Sequence, residues 1–174
     1  MRADVKAEII SWVKVIAAAA VCAVIISQCI IVNAKVPTGS MENTIMTNDR
    51  VVAFRLFYLF SKPKRFDIVV FPAPDEPETL FVKRVIGLPG ETVNIINGKV
   101  YIDGSSEPLD DSFTIGDDRS NFGPYDIPDD NYFMMGDNRE LSKDSRYWEN
   151  AGVREDTILG KVIFRYYRGF KVYS

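Results

Sequence analysis

The chain has 174 residues, a net charge of −3 from 21 basic and 24 acidic side chains, and no histidine. That length leaves room for one compact domain with its own core once an N-terminal apolar segment is set aside. A near-neutral charge without a basic stripe argues against a nucleic-acid partner. The missing histidine excludes Ser-His-Asp triads, Cys-His dyads and HExxH zinc sites together.

The first element is an uncharged run, Val15 to Val32 (VIAAAAVCAVIISQCIIV), bounded by Lys14 and Lys35. About twenty residues at ~1.5 Å rise match the roughly 30 Å hydrocarbon core of a bilayer. Val32-Asn33-Ala34 resembles a small-x-small cleavage site, but a secretory signal has an apolar region of only ~7–15 residues, so an uncleaved anchor is expected. Cleavage after Ala34 by the protein itself is a further, weaker expectation from the same three residues. Cys22 and Cys29, seven apart on one helix face, are read as small membrane-helix residues with no cross-linking role. Arg2, Lys6 and Lys14 precede the run and place the N-terminus in the cytoplasm by the positive-inside rule. The expected organisation is residues 1–14 as a short cytoplasmic N-terminus, 15–34 as a single transmembrane signal anchor, and 36–174 as a β-rich extracytoplasmic domain.

Strand signals then dominate. Arg50 to Phe54 (RVVAF), Asp67 to Phe71 (DIVVF), Leu80 to Gly87 (LFVKRVIG) and Ile158 to Tyr166 (ILGKVIFRY) are short and β-branched or aromatic, with Gly, Pro or charges at their ends. In Thr92 to Ile102 (TVNIINGKVYI), Asn97-Gly98 separates two such runs as in a type I′ hairpin. Phe54 to Phe60 (FRLFYLF) reads as a buried strand, or else as an exposed apolar edge resting on lipid or an apolar substrate. Residues 103–131 are acidic and turn-rich and read as a surface excursion. The fold class is mainly β behind one N-terminal membrane helix.

Neither GxxxxGK[ST] nor GxGxxG occurs, so nucleotide cofactors are not expected, and hydrolytic chemistry falls to carboxylates and lysine. In VPTGSMENT, Val36 to Thr44, a linker explains Thr, Gly and Ser but not the methionine after Ser40. Lys83 alternates onto the face of Phe81 and Val85, while Arg84 faces the other way with Val82. It is either an edge lysine that deters aggregation or a buried one. If buried, desolvation lowers its pKa towards neutrality, and a neutral amine can take a proton from a serine hydroxyl, a form of help worth ~10²–10⁴ in rate. The run Gly136 to Arg146 (GDNRELSKDSR) is either a solvated polar loop or a site. It offers Asp137–Arg139 and Asp144–Arg146 as ion pairs that could lock a loop, and Ser142 and Ser145 to orient an amine. Lys143 is a rival base, but its polar neighbours give no reason for a depressed pKa.

VPTGSM, FVKRVIGLPGE and MGDNRELSKDSRYW, in that order behind a membrane anchor, resemble the bacterial type I signal peptidases, a serine-lysine peptidase family. RFDIVVF and LGKVIFRY also fit, and the short chain with one anchor is similar to the compact Gram-positive forms. The resemblance implies a signal-peptidase-like β-sheet or barrel domain. It implies Ser40 as nucleophile, Lys83 as general base and Ser142 as hydrogen-bond partner of the Lys83 amine. The Ser40 N–H and the Thr38 hydroxyl would form the oxyanion hole, with Met41 beside the site and Asp144 and Arg146 paired to brace it. The relatives of the endoplasmic reticulum use histidine as base, so the lysine form is implied here.

The implied function is cleavage of exported preproteins after small residues, Ala-x-Ala-like, by a monomer held in the bacterial cell membrane and touching the lipid bilayer. No metal, organic cofactor or nucleic acid is called for. The chain departs from the family at two positions. Asn43 stands where proline is common in Ser-Met-x-Pro-Thr, and Arg65-Phe66-Asp67 stands for Arg-Gly-Asp. Two other functions are weighed. A self-cleaving repressor with the same catalytic pair would carry a DNA-binding module, and none is visible. A catalytically inactive membrane-anchored binding module of the same fold finds its support in Asn43 and Phe66.

Overall fold

The computed structural model describes residues 2–167 and 169–173. Met1, Arg168 and Ser174, and the side chains of residues 2–4 and Gln28, lie outside the described residues. In chain order the elements are helix α1 (Arg2–Ile25), a π-helical turn (Ile26–Ile30), β1 (Ile31–Lys35), a 3-10 turn (Gly39–Met41), β2 (Arg50–Phe54) and a second 3-10 turn (Arg55–Leu59). There follow β3 (Ile68–Ala73), β4 (Glu76–Gly87), β5 (Thr92–Ile96), β6 (Lys99–Ile102), β7 (Phe122–Asp126), β8 (Asn131–Met135), β9 (Gly152–Arg154), β10 (Gly160–Arg165) and β11 (Lys171–Val172). The larger sheet runs β1-β2-β10-β3-β4-β8-β9 with β11 added beside β10, and the smaller runs β6-β5-β7. All of their pairings are antiparallel. The fold is therefore mainly β with one apolar helix in front.

Side-chain alternation on the central strands divides the core. Val70 of β3 and Val82 of β4 pack with Val32, Ala34, Met41 and Ile45. Val69, Phe71 and Val85 pack with Tyr132, Met134 and Trp148. A third cluster, around Val93, Ile95 and Phe133, joins the small sheet to the large one. Asn97 and Gly98 both take positive φ, 50° and 76°, as a type I′ turn between β5 and β6 requires.

Three expectations are corrected. The helix lies earlier than 15–34: the stretch of membrane-crossing length and hydropathy is Val5–Ile25, and none of it is covered by the domain. Residues 31–35 are instead a strand in register with Phe54 to Arg50. Val32 and Ala34 are buried there, while Asn33 and Lys35 are exposed, so the end of the apolar run belongs to the core. FRLFYLF is not a buried strand. Phe54 ends β2, Arg55–Leu59 is a 3-10 turn with no buried residue, and Leu59 and Phe60 stand out at 69% and 89% exposure. The 103–131 segment is not purely a surface excursion, because Phe122–Asp126 is the β7 partner of β5 and Ile115 bridges Asn138.

Because β1 is an edge strand whose apolar half is core, a chain beginning at Ile31 is expected to unfold cooperatively in urea. One beginning at Val36 forfeits the burial of Val32 and Ala34 together with the β1–β2 ladder. Its unfolding free energy should be lower by on the order of 3 kcal/mol or more from the apolar area alone.

Candidate active site

Ser40 lies in the 3-10 turn between β1 and β2 and is buried. The turn is pinned from within and from below. The Glu42 N–H donates to the Gly39 carbonyl at 3.1 Å, and the Thr44 and Ile45 N–H groups donate to the Met41 carbonyl at 3.1 and 2.7 Å. Met41 and Ile45 are fully buried in the core. Met41 thus supports the turn from its inner side. The Thr38 and Ser40 hydroxyl oxygens are 3.4 Å apart.

Lys83 sits in β4 opposite Val69. It is 3% exposed, and its Nζ lies 5.4 Å from the centre of the Phe81 ring, the face that alternation assigns to it. The amine hydrogen-bonds the Ser142 hydroxyl at 3.0 Å. Ser40 and Lys83 line one cleft, whose walls are Val36, Pro37 and Thr38 on one side and Thr79 to Val82 on the other, with Leu141 and Lys143 at the rim. Lys143 keeps a 61% exposed side chain 4.0 Å from Asp75, so it lacks the burial that sets Lys83 apart.

Burial lowers the Lys83 pKa from 10.5 to about 8; the Asp144 carboxylate opposes that shift, the Arg146 guanidinium adds to it, and Asp137 opposes it more weakly. Asp144 and Arg146 form the expected pair, with Nε to Oδ1 at 2.8 Å and Nη2 to Oδ2 at 2.9 Å. Asp144 Oδ2 also accepts the Gly136 N–H at 3.0 Å, and Ser145 closes the loop onto β8 by accepting the Met134 N–H at 2.8 Å.

The other ion pair read from the sequence is not made. Asp137 binds Arg84, at 2.8 Å from Nε and 2.5 Å from Nη2, and Arg139 faces Asp111 at 3.7 Å. The register explains it: Arg84 lies opposite Met135 at the end of β8, so the guanidinium meets Asp137 as the chain leaves the strand.

The sequence alone does not single out several site-building residues, although Gly136, Asn138 and Arg84 lie within its family-like motifs. The Asn138 N–H donates to the Ser40 carbonyl at 3.1 Å, which ties the serine turn to the polar loop. Gly136 makes that approach sterically feasible, since a Cβ there would fall 2.3 Å from both the Ser40 carbonyl oxygen and the Ser142 Oγ. Asp118, from the acidic segment, pairs with Arg146 from the side opposite Asp144. Its 28-residue separation leaves no local pattern to read. Arg84 was legible only as the residue facing away from Lys83.

The chain matches the family described as signal peptidase, peptidase S26, over residues 9–167. The chain belongs to that family. It is 36% identical over 137 residues to the protein named "Probable signal peptidase I-2" of a Synechocystis species, covering 76% of this chain and 61% of that one. The chain thus spans about three fifths of that relative's length. It is 40% identical over 152 residues to the signal peptidase I of Bacillus amyloliquefaciens, covering 81% of this chain and 79% of the relative. The crystal structure of a signal peptidase I from Enterococcus faecalis V583 shares 33% identity, covers 58% of this chain and 97% of its own, and superposes with a TM-score of 0.48.

Holding a lysine in this family fold has a thermodynamic signature that needs no substrate. Between about pH 8 and pH 10.5 the unfolded chain keeps the Lys83 proton that the folded chain has released. Lys83 therefore costs stability below that window, and the cost fades as pH rises through it. Lys83→Met is expected to be more stable than the wild type at pH 7, by up to on the order of 3 kcal/mol. Urea unfolding of both proteins along a pH series should show the gap closing towards high pH.

Proposed function

We propose that the protein is a membrane-anchored serine endopeptidase that removes signal peptides from exported preproteins. The observation that carries this reading is a buried amine with a lowered pKa, held by Ser142 in the same cleft as Ser40. Near its pKa, Lys83 is partly uncharged at neutral pH and serves as the general base. It accepts the Ser40 proton as Oγ attacks the scissile carbonyl, returns it to the departing amine, and then activates the water that resolves the acyl-enzyme.

The carbonyl oxygen of the tetrahedral intermediate is received by the Ser40 N–H and the Thr38 hydroxyl, and one such donor typically contributes ~2.7–4 kcal/mol. Ser142 orients the amine, and the Asp144–Arg146 pair braces the loop that carries Ser142. No step calls for a metal or an organic cofactor.

The substrate lies extended between Val36–Thr38 and Thr79–Val82, where strand pairing turns alternate side chains into the cleft wall. A shallow apolar wall suits alanine-sized side chains at those positions. Helix α1 crosses the membrane with the N-terminus in the cytoplasm, leaving the catalytic domain, acting as a monomer, at the outer surface where the cleavage junction emerges. The domain rests there against the bilayer.

Ser40→Ala is expected to abolish preprotein cleavage, and Lys83→Ala to lower it by ~10²-fold or more. Lys83→Arg should be inactive at every pH because a guanidinium does not release its proton. The wild-type rate should climb with pH through a midpoint near 8 as the Lys83 amine is uncovered. Substantial cleavage by Ser40→Ala or Lys83→Ala would refute the dyad. A serine-directed acylating inhibitor separates this reading from an inactive binding module, which leaves Ser40 unmodified.

A further inference from the structure

Two residues around the site hold backbone conformations that their side chains do not favour. Asn43, three residues after Ser40, has φ of 81°, and Phe66, in the loop before β3, has φ of 72°. The left-handed region is uncommon for residues other than glycine, is tolerated best by asparagine, and is poorly suited to an aromatic. A strained backbone persists where its surroundings over-determine it, and here both residues touch one residue from a distant part of the chain, Asn43 through that residue's backbone carbonyl and Phe66 through its ring.

That residue is Phe113, in the acidic segment between β6 and β7. The Asn43 side-chain amide donates to the Phe113 carbonyl at 2.8 Å. The Phe113 ring stands edge-on to the Phe66 ring at 5.5 Å between centroids and 70° between planes. On the same ring lies the Arg84 guanidinium, its carbon 4.3 Å from the ring centre. Arg84 donates to the Phe66 carbonyl at 2.8 Å, reaches the Thr44 hydroxyl at 3.4 Å, and pairs with Asp137. It is also the residue directly after Lys83. Besides the Phe66 loop, Phe113 is thus linked to three segments carrying a proposed catalytic group: the serine turn directly through Asn43, the lysine strand through Arg84, and, through Arg84 in turn, the Ser142 loop at Asp137.

We propose that Phe113 is a positioning residue, the common support that holds the Ser40 turn in register with the Lys83 strand. The clamp deepens the peptidase reading and relies on it only for its kinetic test. Asn43 and Phe66, the two departures from the family pattern, are then parts of the clamp together with Arg84. Proline locks φ near −65°, so it cannot occupy position 43 in the conformation this chain uses. Putting the family's proline there should harm the protein.

The test uses the full-length chain in detergent or vesicles with Phe113→Ala, Phe113→Tyr, Asn43→Gly and Asn43→Pro. Phe113→Ala is expected to lower kcat about 10-fold to 10²-fold, as a small misplacement of reacting groups does, with KM and the pH midpoint unchanged. Phe113→Tyr keeps the ring and should restore the rate. Asn43→Gly keeps the left-handed backbone but loses the amide. It should slow the wild type yet cost less in the Phe113→Ala background, where the carbonyl that Asn43 binds remains but its segment is no longer anchored by the ring on Phe66 and Arg84. Asn43→Pro should be slower than Asn43→Gly.

A second measurement needs no cleavage: backbone amide exchange at Thr44 and Ile45, whose N–H groups bind the Met41 carbonyl, should quicken in Phe113→Ala and in Asn43→Gly. Unchanged exchange at both amides in both variants, or strictly additive effects of Asn43→Gly and Phe113→Ala on kcat, would overturn the proposal. If Phe113→Ala does not fold, Asn43→Gly alone decides through the exchange rates. A wild type that cleaves no preprotein overturns the peptidase reading, and the exchange rates then decide the clamp by themselves.

Discussion

The burial of one lysine is the constraint on which the rest depends. Charge on Lys83 is disfavoured because β3, β4 and β8 surround it with Val69, Phe81, Val85 and their neighbours rather than with water. Asp144 and Asp137 work against that environment, since both favour the charged amine. The fold answers each carboxylate with a guanidinium: Arg146 holds Asp144 in two hydrogen bonds, and Arg84 holds Asp137 in two more. A paired carboxylate projects a much weaker field than a bare one, which leaves desolvation as the dominant influence on the amine. The ion pairs therefore bear on the amine through the charge they neutralise, as well as bracing a loop. Asp118, on the far side of Arg146, belongs to the same arrangement, although it lies in a segment whose composition suggested only solvated surface.

The second constraint is the absence of slack between helix and site. The chain passes from α1 through a single π-helical turn into β1, and β1 is clamped to β2 along its whole length. From Lys35 to Ser40 there are only five residues, which span less than ~20 Å even when fully extended. A helix of membrane-crossing length is thus joined to the serine turn by core strand rather than by a tether. The exposed Leu59 and Phe60 follow β2 in the 3-10 turn, so the apolar turn is placed by the same strand pair that carries the serine.

The legible parts of the fold were those where one signal acted alone. RVVAF became β2 with the same bounds, and Asn97-Gly98 became the β5–β6 turn. The errors came where two signals overlapped. Val32, Asn33, Ala34 and Lys35 alternate buried and exposed as a strand should, but they directly continue an apolar run, and the longer pattern masked the shorter. Phe122–Asp126 contains Gly123-Pro124, a dipeptide that marks loops, so a true sheet strand read as excursion. Within the site, Ser40, Lys83 and Ser142 stood out because their motifs resemble those of a known family. Asp118 and Phe113 did not, because what they do is fixed by contacts across 28 and 70 residues and leaves no trace in the local sequence.

The proposed nucleophile, the proposed base and that base's hydrogen-bond partner come from three separated stretches of chain, and their meeting point is defined by an atom that glycine lacks. Gly136 brings its Cα against the Ser40 carbonyl and the Ser142 side chain at once, in a space where any Cβ would collide with both. The neighbouring Asn138 N–H then captures that Ser40 carbonyl, while the Gly136 N–H is held by Asp144. Ser40 is thus spaced from Ser142 by the thickness of one glycine backbone, and Ser142 in turn holds the Lys83 amine. A larger residue at 136 would separate the serine turn from the polar loop without touching any of the groups proposed to react. Much of the geometry of the candidate site therefore resides in a residue with no side chain and no chemistry of its own.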